Sequence, residues 1–270
     1  MFLKIKNKIK QHKIKTAIAV IAMVVYYLCL PKVLFNQPYA TVIEDANGEL
    51  IGAKIAKDGQ WRFPESDSIP QKFKECIVYF EDEYFYQHFG INPVSIGKAT
   101  LQNIKAGKVV RGGSTLTQQV IRLHRKDKSR SLSEKFIEFI LATRLEFRHS
   151  KNKILNLYAS HAPYGGNVVG LEMAAYRYFG LPANKLSWAE TATLAVLPNA
   201  PSLIYPGKNQ EKLLVKRNNL LAKLYKNKII DYDTYTLAIL EELPQKPFDL
   251  PQTANHLVMQ MAKKHEGEKI

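Results

Sequence analysis

From Pro70 onward apolar residues recur every three or four positions, and that spacing predicts helices. The first carries Phe73, Cys76, Ile77, Phe80 and Tyr84 on one face and leads into the stretch Glu81 to Gly90. Asn92 and Pro93 supply an N-cap and a first-turn proline for a helix that fades at Gly107. Gly112-Gly113 breaks the pattern, after which Ser114 or Thr115 caps a helix bearing Leu116, Val120 and Leu123. Ser131 and Glu134 have the spacing of a capping box before a long helix through Leu145. Ser150 opens a helix with Ile154, Leu155 and Tyr158. Residues 162–167 read as a loop, and a short helix runs on to Phe179-Gly180. A second capping box, Ser187 to Glu190, starts a helix that ends at Pro198. Amphipathic helices follow at Leu213 to Leu224 and Tyr232 to Leu243.

Upstream of Pro70 the period changes. The runs 41–45 and 49–55 flank Ala46-Asn47-Gly48, and Asn-Gly between β-type runs predicts a hairpin. Before it, an apolar run from Thr16 to Leu30 continues past Pro31 and Lys32 to Phe35, and it follows Lys4, Lys6, Lys8, Lys10, Lys13 and Lys15. That pattern predicts a transmembrane signal anchor over residues 16–35 with the N-terminus cytoplasmic. No small-x-small cleavage site follows it, which argues against a removed signal peptide. The chain therefore divides into a basic cytoplasmic tail (1–15), the anchor (16–35), a β-hairpin stalk (36–60), a mainly α domain (61–245) and a C-terminal tail or linker start (246–270). The expected fold class is mainly α, behind an N-terminal transmembrane helix and a short β-hairpin.

A chain of 270 residues can bury a sizeable core. Its net charge of +15 calls for an anionic partner. The anchor places the bulk of the protein outside the cytoplasm, so nucleic acid is excluded as that partner. Cys29 and Cys76 both sit among apolar residues and give neither a disulfide framework nor a thiol catalyst. No metal-ligand spacing occurs and no cofactor is required, although magnesium or manganese is left open.

Three stretches carry more polar residues than a helical core needs. Glu81 lies four residues after Ile77, on the border of the apolar face, and Asp82 points about 100° further round. A carboxylate on that border is partly desolvated, which raises its pKa and makes it a better base. A solvated acidic helix end explains the same residues equally well at this point. The second stretch, Gly112 to Arg122, leads glycines and hydroxyls into a helix start, whose N–H groups and dipole suit a phosphate or sugar. A plain capped helix accounts for Ser114 and Thr115 as well. In the third, Glu138 aligns with Leu141, Ala142 and Leu145 and lies one turn from Lys135, as a donor-side carboxylate or half of a structural ion pair. Basic loops at 105–111 and 124–130 flank these helices and can receive a diphosphate. Separated carboxylates, cations and an anchor fit either glycoside hydrolysis or glycosyl transfer from a lipid-linked donor.

Several motifs occur in order: Glu81-Asp82-x-x-Phe85-x-x-His88-x-Gly90, Gly112-Gly113-Ser114-Thr115-x-Thr117-Gln118-Gln119, Lys135-x-x-Glu138, Ser150-Lys151-x-x-Ile154-Leu155-x-x-Tyr158, and Leu186-Ser187-x-x-Glu190 through Pro198. Over roughly residues 60–225 they closely resemble the family 51 peptidoglycan glycosyltransferases, found in class A penicillin-binding proteins and monofunctional transglycosylases. The Arg122-x-x-Arg125 and Ala162-Pro163-Tyr164-Gly165-Gly166 variants look most like the C-type class A proteins. The resemblance implies a lysozyme-like glycosyltransferase domain that polymerises lipid II into β-1,4 glycan strands with inversion and releases undecaprenyl diphosphate. It makes Glu81 the base for the acceptor hydroxyl and Glu138 the donor-side carboxylate. Asp82, Phe85, His88, Gly113, Ser114, Thr115, Gln118, Gln119, Arg122, Arg130 and Lys135 are the implied substrate-binding residues. Implied partners are lipid II, the nascent glycan strand, the lipid bilayer and other cell-wall synthesis proteins. A lysozyme-like hydrolase and a catalytically weak lipid II-binding scaffold are the competing readings.

The sequence departs from the family pattern at three places. Arg122 stands where lysine is commoner, Glu134-Lys135 replaces an Arg-Lys pair, and Tyr158-Ala159-Ser160 replaces Tyr-Leu-Asn. No Ser-x-x-Lys motif in a transpeptidase context follows the anchor, so a monofunctional or truncated protein is expected.

Overall fold

The computed structural model describes residues 2–66, 68–108, 112–126, 128 and 131–270, with side chains from residue 12 onward. Arg130, Asp127 and residues 109–111 of the first basic loop lie outside the described residues. A long N-terminal helix, α1 (Phe2–Leu28), precedes the hairpin of β1 (Thr41–Glu44) and β2 (Leu50–Lys54), which pair antiparallel. Gly48 holds the hairpin turn at φ 78°, a conformation that favours glycine. After the short β3 (Trp61–Arg62) come α2 (Gln71–Glu81), α3 (Pro93–Ala106), α4 (Leu116–His124), α5 (Leu132–Arg148) and α6 (Lys151–His161). The short strands β4 (Pro163–Gly165) and β5 (Val168–Val169) follow, then α7 (Leu171–Phe179), α8 (Trp188–Val196), α9 (Gln210–Lys226), α10 (Tyr232–Leu240) and α11 (Asn255–Lys264).

The helix starts follow the expected caps. Asn92 accepts from Ser95 N, Thr115 from Gln118 N, and Ser150 from Lys153 N. Ser187 and Glu190 form a complete capping box. At Ser131 only half of the box exists: its hydroxyl accepts from Glu134 N, while the Glu134 carboxylate turns to Arg125. Buried Leu, Ile and Ala residues of α2, α8 and α9 pack together, as do those of α4, α5 and α6.

Four features differ from expectation. The loop at 162–167 contains β4 and leads into β5, which pairs antiparallel with β4 and parallel with β3. That pairing joins segments more than a hundred residues apart and leaves no local periodicity to read. The C-terminal tail also has structure. Helix α11 packs on β1 and β2, and residues 268–270 run along β1, with Val42 N donating to Glu268 O and Ile270 N to Val42 O. Third, α10 stops at Leu240 rather than Leu243.

The fourth is the anchor. Helix α1 ends at Leu28, three residues before Pro31, so residues 16–35 are not one helix. Thr16 to Leu28 supplies roughly 20 Å of helix at ~1.5 Å per residue, short of a hydrocarbon core of about 30 Å. Leu30, Leu34 and Phe35 instead bury against the helical domain. Among the described residues no helix is long and apolar enough to cross a membrane. The end of α1 and the segment after it are clamped at several points. Tyr26 Oη donates to Thr143 Oγ1, Arg144 Nε to Tyr27 O (3.1 Å) and Arg148 Nη2 to Lys32 O (2.7 Å). The Phe35 ring stacks on His161 with centroids 3.7 Å apart.

Behind that stack, Glu65 accepts from His161 Nε2 and Lys153 Nζ, both at 2.9 Å. The His161 bond, opposed by burial and helped by Lys153, holds the Glu65 carboxyl down at about 2. A depressed acid contributes stability above its unfolded pKa, and loses it as pH falls through the folded value. Thermal unfolding of the wild type should therefore lose stability between about pH 4.5 and about pH 2. Glu65→Gln should flatten that part of the pH–Tm curve; an unchanged slope would remove Glu65 as its source.

Candidate active site

The C-terminal end of α2, the start of α4, the first turns of α5 and the middle of α6 surround an open cleft of about 840 Å³. Glu81 is the last residue of α2 and lines it. Its Oε2 accepts from Gln119 Nε2 at 2.8 Å, and its Oε1 is buried without a partner among the described residues. Burial pushes the Glu81 carboxyl up, against the Gln119 bond and the charges of Lys216 and Arg122, which pull it down. The border position seen in the helical period thus becomes a desolvated carboxylate.

Asp82 does not continue the helix. It is the C-cap, with φ −157°, and its side chain turns inward instead of pointing a further 100° round. Its oxygens meet His88 Nε2 at 2.9 and 3.1 Å and accept from Leu116 N at 3.0 Å. Asp82 therefore spends its charge on tying the end of α2 to the start of α4. Phe85 is wholly buried, with the Lys151 ammonium 4.4 Å from its ring centre. Both Phe85 and His88 lie behind the cleft wall. Gly90 completes the turn at φ 79°, where a Cβ would meet the Ala142 backbone at 2.8 Å. Its carbonyl accepts from Thr115 Oγ1 at 2.7 Å and Gln118 Nε2 at 3.2 Å. Gln118 is thereby buried too, and Thr115, although it borders the cleft, caps α4 with its hydroxyl.

Opposite Glu81 stands Glu138. Arg122 meets it with two bonds, Nε to Oε1 at 3.0 Å and Nη2 to Oε2 at 3.1 Å, and Lys135 Nζ donates to Oε2 at 3.1 Å. Burial opposes ionisation of Glu138, but the Arg122 and Lys135 bonds and charges together outweigh it and hold the pKa down. Ser114 Oγ accepts from Arg122 Nη2 at 3.1 Å and Lys135 Nζ at 2.7 Å, which gathers both cations at the glycine-led start of α4. Gly113 is needed there: a Cβ would lie 3.0 Å from the Ile96 backbone. Arg125 and Glu134 form a bidentate pair at the cleft edge. The Glu134 departure therefore also ties up a second cation, Arg125.

The cleft thus brings together Glu81, Asp82, Gly113, Ser114, Thr115, Gln119, Arg122, Lys135 and Glu138 of the expected residues. Among the described residues no His, Cys, Asp and Glu cluster suits a metal ion. Three cleft features escaped sequence reasoning. Lys223 Nζ pairs with Glu83 at 2.8 Å, so Glu83 is part of the cleft rim rather than free surface. Lys216 Nζ donates to Asn199 Oδ1 at 2.6 Å and acts by its charge on Glu81. A cation three residues after Leu213 and four before Leu220, hence near the apolar face of α9, was the available signal. Tyr158 lines the same cleft, and its helical phase with Ile154 and Leu155 was the available signal.

Comparison with known proteins gives a consistent result. Penicillin-binding protein 1C of Escherichia coli (strain K12) is 34% identical over 235 residues, covering 86% of this chain and 30% of the relative. Penicillin-binding protein 1A of Aquifex aeolicus (strain VF5) is 37% identical over 219 residues, covering 80% and 30%. The crystal structure of penicillin-binding protein 1A from Haemophilus influenzae aligns with a TM-score of 0.44 at 22% identity, over 87% of this chain and 25% of that one. The chain spans about three-tenths of the length of the curated relatives it matches. The profile of the transglycosylase family matches residues 47–225, a span running from the hairpin turn into α9 and containing both carboxylates. The chain belongs to the transglycosylase family.

Proposed function

We propose that this chain is a peptidoglycan glycosyltransferase that polymerises lipid II into β-1,4 glycan strands with inversion, releasing undecaprenyl diphosphate. One observation carries the reading: two carboxylates in one cleft have their proton affinities driven apart. Glu81, pushed up by burial, takes the proton of the acceptor hydroxyl as that oxygen attacks the anomeric carbon of the donor sugar. Glu138, held ionised, fixes Arg122 and Lys135 beside Ser114. Those cations stabilise the charge that develops on the departing diphosphate. His88, Phe85 and Gln118 act from behind the wall, and Asp82 from the wall itself, by holding Glu81 and α4 in register. A diphosphate substrate can bring a divalent cation with it.

The catalytic domain, residues 61–245, works at the outer face of a bacterial plasma membrane. The lysines in the first half of α1 and the exposed apolar side chains of its second half, among them Ile18, Ile21, Val25 and Leu28, support contact with lipid. Exposed Phe136 and Phe147 on α5 extend that apolar surface, and Tyr26 packs edge-on against Phe147. Nascent glycan and other cell-wall synthesis proteins are the further partners.

Incubation with lipid II and, separately, with mature glycan tests the reaction class. Transfer releases undecaprenyl diphosphate from the first and leaves the second intact. Shortening of mature glycan would make the chain a hydrolase, and tight lipid II binding without turnover would make it a scaffold.

A further inference from the structure

The two oxygens of Glu81 have different surroundings. Oε2 is held by Gln119, whereas Oε1 is buried and accepts nothing among the described residues. Helix α6 brings a second isolated group to the same cleft: the Tyr158 hydroxyl is buried and likewise without a partner. The two are complementary, since an ionised carboxylate only accepts and a phenol can donate. Leaving both unpaired is the arrangement that folded proteins avoid. The groups also sense each other. Burial first, and the Glu81 charge second, push the Tyr158 phenol well above its ordinary value, so it keeps its proton wherever the enzyme works.

On the reading of Glu81 as the base, we propose that the Tyr158 hydroxyl donates to Glu81 Oε1, directly or through one water, and is the positioning residue that keeps this carboxylate ionised and oriented. The other groups facing Glu81 are accounted for. Gln119 from α4 bonds Oε2, and Arg122 from α4 is committed to Glu138. Lys216 from α9 is committed to Asn199, and the neighbouring Asp82 opposes ionisation. Tyr164 on β4, whose hydroxyl is also buried and unpartnered, acts on Tyr158. Burial opposes ionisation of Glu81. Tyr158 supplies the donor that offsets it on the side away from Gln119.

Tyr158→Phe removes only that donor. The acid limb of kcat/KM for lipid II should move up by about one pH unit, a roughly tenfold loss on the acid side that recovers on the alkaline side, with KM little changed. A purely structural role would lower the rate at every pH without moving the limb, and that result overturns the proposal. Should Tyr158→Phe fold poorly, 3-fluorotyrosine placed at position 158 keeps the shape and strengthens the donor. It should move the limb downward, and an unmoved limb again overturns the proposal. An infrared titration reads the Glu81 carboxyl without turnover, its band identified by loss in Glu81→Gln. If the wild type makes no glycan yet this midpoint rises in Tyr158→Phe, the functional reading fails and the contact stands. Equal midpoints in the two proteins remove the contact whatever the activity.

Discussion

Glu81→Gln folds and binds lipid II as the wild type does, and polymerises it roughly 10²–10⁴-fold more slowly, the usual contribution of a positioned general base. The substitution keeps the shape of the side chain, and its amide oxygen still accepts from Gln119. What it loses is the ability to take a proton. Stability should move in the opposite direction. A carboxyl whose folded pKa is raised is destabilising once ionised, so removing its charge leaves Tm unchanged or higher near neutral pH. Initial rates with lipid II and a thermal melt of the same preparation separate the two effects. A near-native rate would transfer the proton-accepting role to another group; a collapsed Tm would make Glu81 structural.

The second large effect is at Glu138. Arg122 and Lys135 carry two positive charges towards the cleft and Glu138 returns one negative charge, so Glu138→Gln makes the donor side more cationic. Simple attraction predicts tighter binding of a diphosphate donor and faster reaction. Preorganisation predicts the reverse for rate. Glu138 bonds Arg122 twice and Lys135 once, and a neutral amide can accept from only one of them well. Freed cations follow the ground-state diphosphate as readily as the transition state, which lowers KM and kcat together. The expected outcome is a KM equal to or below that of the wild type, with kcat down by about 10²–10³, the scale of losing one preorganised donor. An unchanged kcat would return Glu138 to the structural ion pair that its helical position also allowed.

The sequence made legible those features that depend on neighbours a few residues away. Helix starts at Asn92, Ser150 and Ser187 are set by local capping bonds, and the hairpin turn is set by Asn47-Gly48. Glu81 was legible because the helical period placed it at the edge of an apolar face that does become core. Where bonds join distant segments, the period was silent. Asp82 turns inward because α2 ends there and Leu116 N, 34 residues on, needs an acceptor. Residue type marked Phe85 and His88 as chemically interesting, while their burial is decided by contacts with Lys151 and Asp82. Glu134 looked like a lost cation and proved to be the partner of Arg125, a pairing across two helices. The apolar count through 16–35 suggested one span, yet Pro31 and the burial of Leu34 and Phe35 divide it. Helix α11 and the bridge of Lys269 to Val42 exist through docking on the hairpin.

The pH–rate profile of lipid II polymerisation tests most directly the claim that burial has made Glu81 the base of this cleft. A single ionisation should govern the acid side, with its midpoint above the ordinary carboxylate range and the rate falling as pH drops through it. A rate that holds constant down through the ordinary carboxylate range, or no polymerisation at any pH, would contradict it.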